Sequence, residues 1–447
     1  MKRTVLILGA GVMQLPAIRA AHRLGLHVVV ADGNPHAVGI READGFLHVD
    51  LKDHEAMTAA ARDIRDSRGL NAVFTAGTDF SATVAWVAEQ LELPGTSYEA
   101  AQNATDKFRM RRVLREAGVR VPDFAVFTRD ELERYGVRGA DEAVALPVVV
   151  KPVDSMGARG VVRADTWDQA EAFAREAVDF SRGGRVVIEG YIDGPEFSLD
   201  AIVHGDDIQV TGFADRHIRF PPYFIETGHT IPTSIPEAER RSVVEEFARA
   251  IRALGIGPGA AKGDVKLSSD GVVIGEVAAR LSGGYMSGWT YPLASGVPLT
   301  EIGIRVALGE VPPRAQVRWN RTTAERAVIS IPGVLRELRG VAEAGGSGGV
   351  EELFVMRSAG DRLVFPRNNV EKVANVIAVS EERADAISAA ERAVAMLEPV
   401  LETGATDTER FLFGPGLDGA PSEPPGYANW AFPSLSDVVL SAAGGSG

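Results

Sequence analysis

Short apolar runs at Val5 to Leu8, Val28 to Ala31 and Ala72 to Thr75, separated by stretches of helical pattern, constrain the first hundred residues more than any other feature. Buried runs of this length alternating with helices are the pattern of a parallel sheet with crossover helices, so residues 1–105 are expected to form one α/β domain. The chain has 447 residues, 45% of them hydrophobic. That exceeds what one core can organise, and further domains must follow. The formal net charge of -14 would repel a polyphosphate backbone and argues against nucleic acid as a partner. Zero cysteines exclude disulfides, thiolate zinc sites and a cysteine nucleophile. No apolar run reaches the length of a membrane span, and the apolar residues after Met1-Lys2-Arg3 are explained by a first strand, so no membrane is expected and the chain reads as cytoplasmic.

Thr105 can cap a helix running to Gly118, with Met110, Val113, Leu114 and Ala117 spaced for burial. Strand-like runs follow at 147–153, 186–192, 197–203, 208–214, 261–267 and 272–277, with helices near 167–178 and 237–254. This mixture predicts an α+β body over 106–315, with a small lobe at about 120–190 and a larger one at 191–315. Pro312 and Pro313 mark a boundary. Strands near 326–331 and 353–357 and a helix near 381–397 then predict an α+β closing domain over 316–400, with glycine-rich 345–349 as a loop tip and 401–447 as an irregular tail.

Gly9-Ala10-Gly11-Val12-Met13-Gln14 follows a strand and opens a helix, and Asp32 closes the next strand, which raises a dinucleotide fingerprint and an NAD-dependent oxidoreductase. The third glycine is missing, and Gln14 would obstruct the packing that glycine permits. A second glycine loop fits phosphate better. Lys151 ends an apolar strand and is followed by Ser155-Met156-Gly157-Ala158-Arg159-Gly160, where Gly157 and Gly160 let backbone N–H groups approach an anion and Lys151 adds a point charge. Lys107 lies in the first turn of its helix, where the dipole disfavours a cation. A nucleotide phosphate would account for it. In the connection from Glu189 through Gly190, Tyr191 and Ile192 to Glu196, backbone groups near Tyr191 and Ile192 could read an adenine and Glu196 could accept from ribose hydroxyls.

The run from Ala261 to Glu276 carries a geometric expectation. A three-residue loop, Ser269-Asp270-Gly271, would pair Ser268 with Val272 and set Asp264 opposite Glu276, with Cβ atoms about 5 Å apart. Two like charges so placed need neutralising, and Mg²⁺ is held through one or two carboxylates plus substrate phosphates. A two-residue turn would instead send the two acids to opposite faces. Arg280, four residues on, can clamp a carboxylate or a transferring phosphate, and Gly283 and Gly284 leave room for backbone donors. Glu226-Thr227-Gly228-His229 places an acid and an imidazole in an expected proline-flanked loop between Pro221 and Pro236, where they could position an amine.

These elements, in this order, resemble the ATP-grasp superfamily over roughly residues 1–400. The resemblance implies an α/β leading domain, an α+β ATP-grasp fold with two lobes sandwiching ATP, and a closing α+β domain. It implies that Lys107 and Lys151 hold ATP phosphates with the loop bearing Ser155, Met156, Gly157 and Gly160, that the connection at Glu189, Tyr191 and Ile192 holds adenine, and that Glu196 holds ribose. It also implies that Asp264 and Glu276 bind Mg²⁺, or Mn²⁺ in its place. Many relatives carry an asparagine two residues after the second acid, and this chain has Ala278 there. The loop with Glu226 and His229, together with Arg280, looks like bacterial L-amino-acid ligases, with Gly283 and Gly284 beside the substrate. The implied activity joins a small-molecule carboxylate to an amine through an acyl phosphate, in an assembly compatible with a homodimer. A carboxylase phosphorylating bicarbonate and a nucleotide-binding protein without catalysis are the other readings of the same fold.

Overall fold

The computed structural model describes residues 2–402 and Thr408. The expected 401–447 tail lies outside them, save for Leu401, Glu402 and Thr408. The chain divides into two units. The first comprises residues 2–122, Ile192–Asp215 and Pro232–Asn320, and the second comprises Asp123–Tyr191, Arg216–Ile231 and the described residues from Arg321 onward.

In the first unit, the three expected strands pair in parallel in the order His27–Asp32, Thr4–Leu8, Ala72–Phe74, and a further strand not among those expected, Gly45–His48, joins the edge beside His27–Asp32. Val5, Leu6, Ile7 and Leu8 are all fully buried, as the continuous apolar run of a sheet covered on both faces requires. The glycine turn after Leu8 is closed from inside. Gln14 is buried and donates from Nε2 to the Ala76 carbonyl at 2.6 Å, and its Cδ lies 3.0 Å from where a Cβ on Gly9 would be. Asp32 accepts from the Ala10 N–H at 2.7 Å and the Asn34 N–H at 2.8 Å. The side chain that would read a ribose is committed to its own turn, and the one that would have to be glycine fills the space.

The antiparallel strands Glu196–His204, Gly259–Ser268 and Gly271–Ala278 pack against helix Glu237–Leu254. Val243, Phe247, Ala250, Ile251 and Leu254 form its buried stripe at helical spacing, and Gly255 ends it in the left-handed conformation. Helix Lys107–Glu116 joins this core through Met110 and Leu114. Its cap differs from the expected one. Asp106 accepts from the Arg109 N–H at 3.0 Å, while Thr105 ends a preceding helix, Tyr98–Thr105, and its hydroxyl donates back to the Ala101 carbonyl at 2.8 Å.

In the second unit, one antiparallel sheet runs Phe124–Thr128, Arg185–Gly190, Val148–Pro152, Val162–Ala164, with helix Trp167–Ala177 contributing Ala170, Ala174 and Ala177 to its core. Another set, in the order Ile225–Ile231, Thr322–Val328, Ala374–Ser380, Val350–Val355, is covered by helix Arg383–Met396, whose Ala386, Ala389, Ala390 and Ala393 are buried. Small side chains let this helix lie close to the sheet. One expectation fails in this unit. Residues 225–231, expected within a loop, form a strand buried at every position. Ala374–Ser380 is a further strand, not among those expected. Among the described residues, no helix is long and apolar enough to cross a membrane.

Gly228 faces Arg326 in the pairing with Thr322–Val328, and a Cβ there would sit 2.2 Å from the Glu325 carbonyl oxygen. Gly228→Ala must therefore push two strands apart. It is expected to cost about 1–3 kcal/mol, measured as a lowered urea midpoint relative to the parent chain.

Candidate functional site

In the first unit, the hairpin sets Asp264 directly opposite Glu276, but not by the expected turn. Ser268 pairs with Gly271 across a two-residue turn, and the register then shifts between Asp264 and Val265, where Val265 pairs with Ile274 and Asp264 with Glu276. Gly275 is the extra residue of a β-bulge, which reverses the side-chain parity that the short turn would impose. Arg111 holds that bulge. Fully buried on helix Lys107–Glu116, it donates from Nη2 to the Gly275 carbonyl at 2.6 Å. Sequence reasoning missed Arg111, although a cation four residues after Lys107 falls on the same helix face.

Two lysines attend the facing carboxylates. Lys107 is buried, with Nζ 3.7 Å from Glu276 Oε1, and the Lys262 ammonium donates to Asp264 Oδ2. Among the described residues, no group of three or more His, Asp or Glu side chains is placed to hold a metal ion. The facing pair fits a divalent cation that takes its other ligands from water and nucleotide phosphate, the arrangement hard cations such as Mg²⁺ adopt. Glu196 lies opposite Lys266 in the register, 3.6 Å from its ammonium, which also donates to the Ile192 carbonyl at 3.0 Å.

Asp200, also missed, is completely buried. It faces Lys262 across the strands and accepts from the Ser282 N–H at 2.8 Å and from the Ser282 hydroxyl. Burial pushes its carboxyl up to about 6, against the opposing pull of Ser282, Arg280 and Lys262. Ser287 Oγ donates to the Ser282 carbonyl at 2.6 Å, so the segment after Arg280 is fixed from within. Gly283 packs against Gly77, where a Cβ on Gly77 would come within 2.8 Å of its Cα. Its smallness serves this approach. Arg280 donates from Nη1 to the Leu281 carbonyl at 2.9 Å, and burial lowers its pKa while Glu276, Asp200, Asp264 and Asp79 raise it. The guanidinium stays cationic throughout the physiological range.

In the second unit, Lys151 Nζ lies 2.5 Å from Glu189 Oε2, and Glu189 is buried. The loop beyond Lys151 carries Gly157, Ala158 and Gly160 at φ of 69°, 58° and 70°. Glycine adopts such φ values without steric cost, and the absence of a Cβ at Gly157 and Gly160 lets an anion approach the backbone N–H groups of the loop. Arg159 Nε donates to the Met156 carbonyl at 3.0 Å and steadies the loop on which Ser155 also lies. The Tyr191 N–H is engaged by the Pro147 carbonyl at 2.9 Å, and the Tyr191 ring lies under the Arg163 guanidinium at 4.5 Å. The Ile192 carbonyl accepts from Lys266 at 3.0 Å.

Glu226 and His229 lie on the buried strand Ile225–Ile231, and the cluster around them is larger than the sequence suggested. Arg216 Nη2 is 2.7 Å from Glu226 Oε2. His229 faces Glu325 in the register, its Nδ1 3.3 Å from Glu325 Oε2 and 3.9 Å from Glu226 Oε1. Asn375 donates to Glu325. Burial would raise the Glu226 carboxyl, but Arg216, Lys372 and His229 together outweigh it and bring it down to about 2. The Glu325 carboxyl is lowered by the same balance, burial opposed by His229, Lys372 and Asn375. Because these partners come from residues 216, 325, 372 and 375, no local motif announces them.

Family comparisons fit this arrangement. The ATP-grasp domain profile matches residues 104–284, the ATP-grasp N-terminal domain profile matches 18–95, and L-amino acid ligase C-terminal domain 2 matches 327–402. The chain carries an ATP-grasp domain, preceded by an ATP-grasp N-terminal domain and followed by a C-terminal domain of the L-amino acid ligase type. The superfamily's leading, central and C-terminal parts are all represented, in the mixed α/β fold expected of them. This ATP-grasp chain is 26% identical over 392 residues to an uncharacterized protein, y4rH, of Sinorhizobium fredii, covering 85% of this chain and 79% of that one. It is 26% identical over 334 residues to carnosine synthase 1 of Gallus gallus, covering 70% of this chain but only 36% of that protein's length. The crystal structure of L-amino acid ligase from Bacillus licheniformis superposes with a TM-score of 0.77 at 22% identity, covering 90% of this chain and 99% of that one.

Arg111→Leu is expected to release the Gly275 carbonyl and cost about 1–3 kcal/mol, as loss of a buried hydrogen bond to a charged donor does. A lowered thermal midpoint checks it. The depressed Glu226 carboxyl contributes stability that is complete above its unfolded value of 4.5 and is lost as pH falls toward about 2. Unfolding titrations of the parent chain and Glu226→Gln should therefore converge over that acid window.

Proposed function

We propose that this ATP-grasp ligase joins a carboxylate to an amine, with an amino acid as one substrate, through an acyl phosphate. The observation that carries the reading is the facing of Asp264 and Glu276 across the hairpin, with Lys107 beside them. Such a pair has no structural value of its own, because like charges opposite each other on a sheet are destabilising. Mg²⁺ held by Asp264 and Glu276 would supply neutralisation of the triphosphate charge. Lys107 and Lys151 would add fixed positive charge to the phosphates, and the loop from Ser155 to Gly160 would add backbone N–H donors. In this proposal, residues 1–105 are the leading domain, 106–315 the ATP-grasp domain and 316–400 the closing domain.

An oxygen of the substrate carboxylate attacks the γ-phosphorus, and ADP departs with the electrons of the broken P–O bond. Arg280 would hold the carboxylate during that attack, its position secured by the Asp200–Ser282 bonds. The neutral amine nitrogen then attacks the acyl carbon, the C–O bond to phosphate breaks, and the nitrogen gives up a proton to the departing phosphate, leaving an amide. Glu226, ionised above about pH 2, offers the negative charge that would attract the amine-bearing substrate. His229 is fully buried, so its part is to hold the two glutamates rather than to touch substrate. The match of 327–402 to L-amino acid ligase C-terminal domain 2 and the likeness to carnosine synthase 1 support amino acids as substrates.

The test is ADP release over a matrix of carboxylic acids, bicarbonate included, and amines, with hydroxylamine present to trap an acyl phosphate as a hydroxamate. Stimulation by an amino acid together with hydroxamate formation is the expected result, and stimulation by bicarbonate alone would assign a carboxylase instead. Glu276→Gln should reduce release at least about a hundredfold with an unchanged circular-dichroism spectrum. Lys151 is better tested as Lys151→Ala combined with Glu189→Gln, since removing the lysine alone would strand a buried carboxylate. The same loss of release is expected.

A further inference from the structure

Asn369, which the proposed reaction does not use, bonds to two different parts of the second unit. Its backbone N–H donates to the Gly157 carbonyl at 2.8 Å, and its side-chain Oδ1 accepts from the Glu226 N–H at 2.8 Å. One residue thus ties the glycine loop to the strand that carries Glu226 and His229. The segment around it is stiff. Arg367 N–H donates to Glu371 at 2.7 Å, Val370 N–H to Asn368 Oδ1 at 3.0 Å, and Arg357 reaches the carbonyls of Val370 at 3.1 Å and Lys372 at 3.2 Å. Lys372 is buried and lowers both the Glu226 and Glu325 carboxyls.

The geometry of the peptide unit makes this link mechanical. The Gly157 carbonyl and the Ala158 N–H belong to one planar group with no internal rotation. An anion that captures the Ala158 N–H fixes the plane, and with it the carbonyl that Asn369 holds. From these contacts we infer that Asn369 is a positioning residue coupling the phosphate loop to the Glu226 strand, so that nucleotide binding orders the amine side of the site. The inference rests on the ATP reading of the glycine loop, and it gives the loop after Arg362–Leu363 a role in substrate order: nucleotide first, amine second.

Hydrogen exchange of the full chain with and without AMP-PNP and Mg²⁺ tests the coupling without requiring the amine to be known. In the parent chain, nucleotide should slow amide exchange both at 155–160 and at 225–231, the latter by roughly fivefold or more, the range of ordinary coupling energies. Asn369→Ala keeps its backbone N–H but loses the Oδ1 acceptor, and nucleotide should then protect 155–160 alone. Asn369→Asp, which retains an acceptor, should restore protection of 225–231. Protection of 225–231 that persists in Asn369→Ala, or that is missing from a parent chain protected at 155–160, overturns the coupling. Absence of protection at 155–160 in the parent chain overturns the ATP reading of that loop, and the coupling with it.

Discussion

Repulsion between two carboxylates facing each other on one strand pair is the constraint around which the first unit is arranged. Left alone, Asp264 and Glu276 would drive the hairpin apart. Lys262 and Lys107 each approach one of them, and Arg111 binds the backbone that brings them together. Helix Lys107–Glu116 therefore performs two tasks on one face, since Lys107 answers charge and Arg111 fixes geometry four residues on. Its apolar residues Met110 and Leu114 bury the same helix against the strands, so the electrostatic arrangement and the core share one element.

The second unit meets a similar problem by enclosing it. Glu226, Glu325, His229, Arg216 and Lys372 lie within a buried cluster in which removing any one member leaves a charge uncompensated. This is why Ile225–Ile231 can be a buried strand although most of its residues are polar. The hydrogen bonds and ion pairs that replace water come from neighbouring strands, and the strand has no apolar alternation because it does not need one.

Those two cases explain what could be read in the sequence. Three strands of the parallel sheet were legible because they are apolar runs, and helix 237–254 because its buried stripe repeats at helical spacing. Lys107, Lys151 and the two acids were legible because each is out of character for its local element. Arg111, Asp200, Glu325 and Asn369 were not, since their partners lie far away in sequence and nothing near them is unusual. Ile225–Ile231 was misread for the same reason, flanking prolines outweighing a polar strand whose partners only the fold supplies. The turn at 269–270 was read one residue too long, yet the acids face each other, because the bulge at Gly275 supplies the residue that the turn lacks.

That substitution of a bulge for a longer turn reveals what the hairpin holds constant. On a strand pair, whether two residues share a face depends on whether the number of unpaired residues between them is odd or even, and a surplus residue can be stored anywhere between them without changing how the side chains beyond it meet. Here it is stored beside the acids rather than at the tip. The stored residue thereby becomes a point at which a buried cation, Arg111, can grip the backbone, and the tip of the hairpin need not supply the third unpaired residue. Parity, not turn type, is the property that this segment transmits from sequence to site.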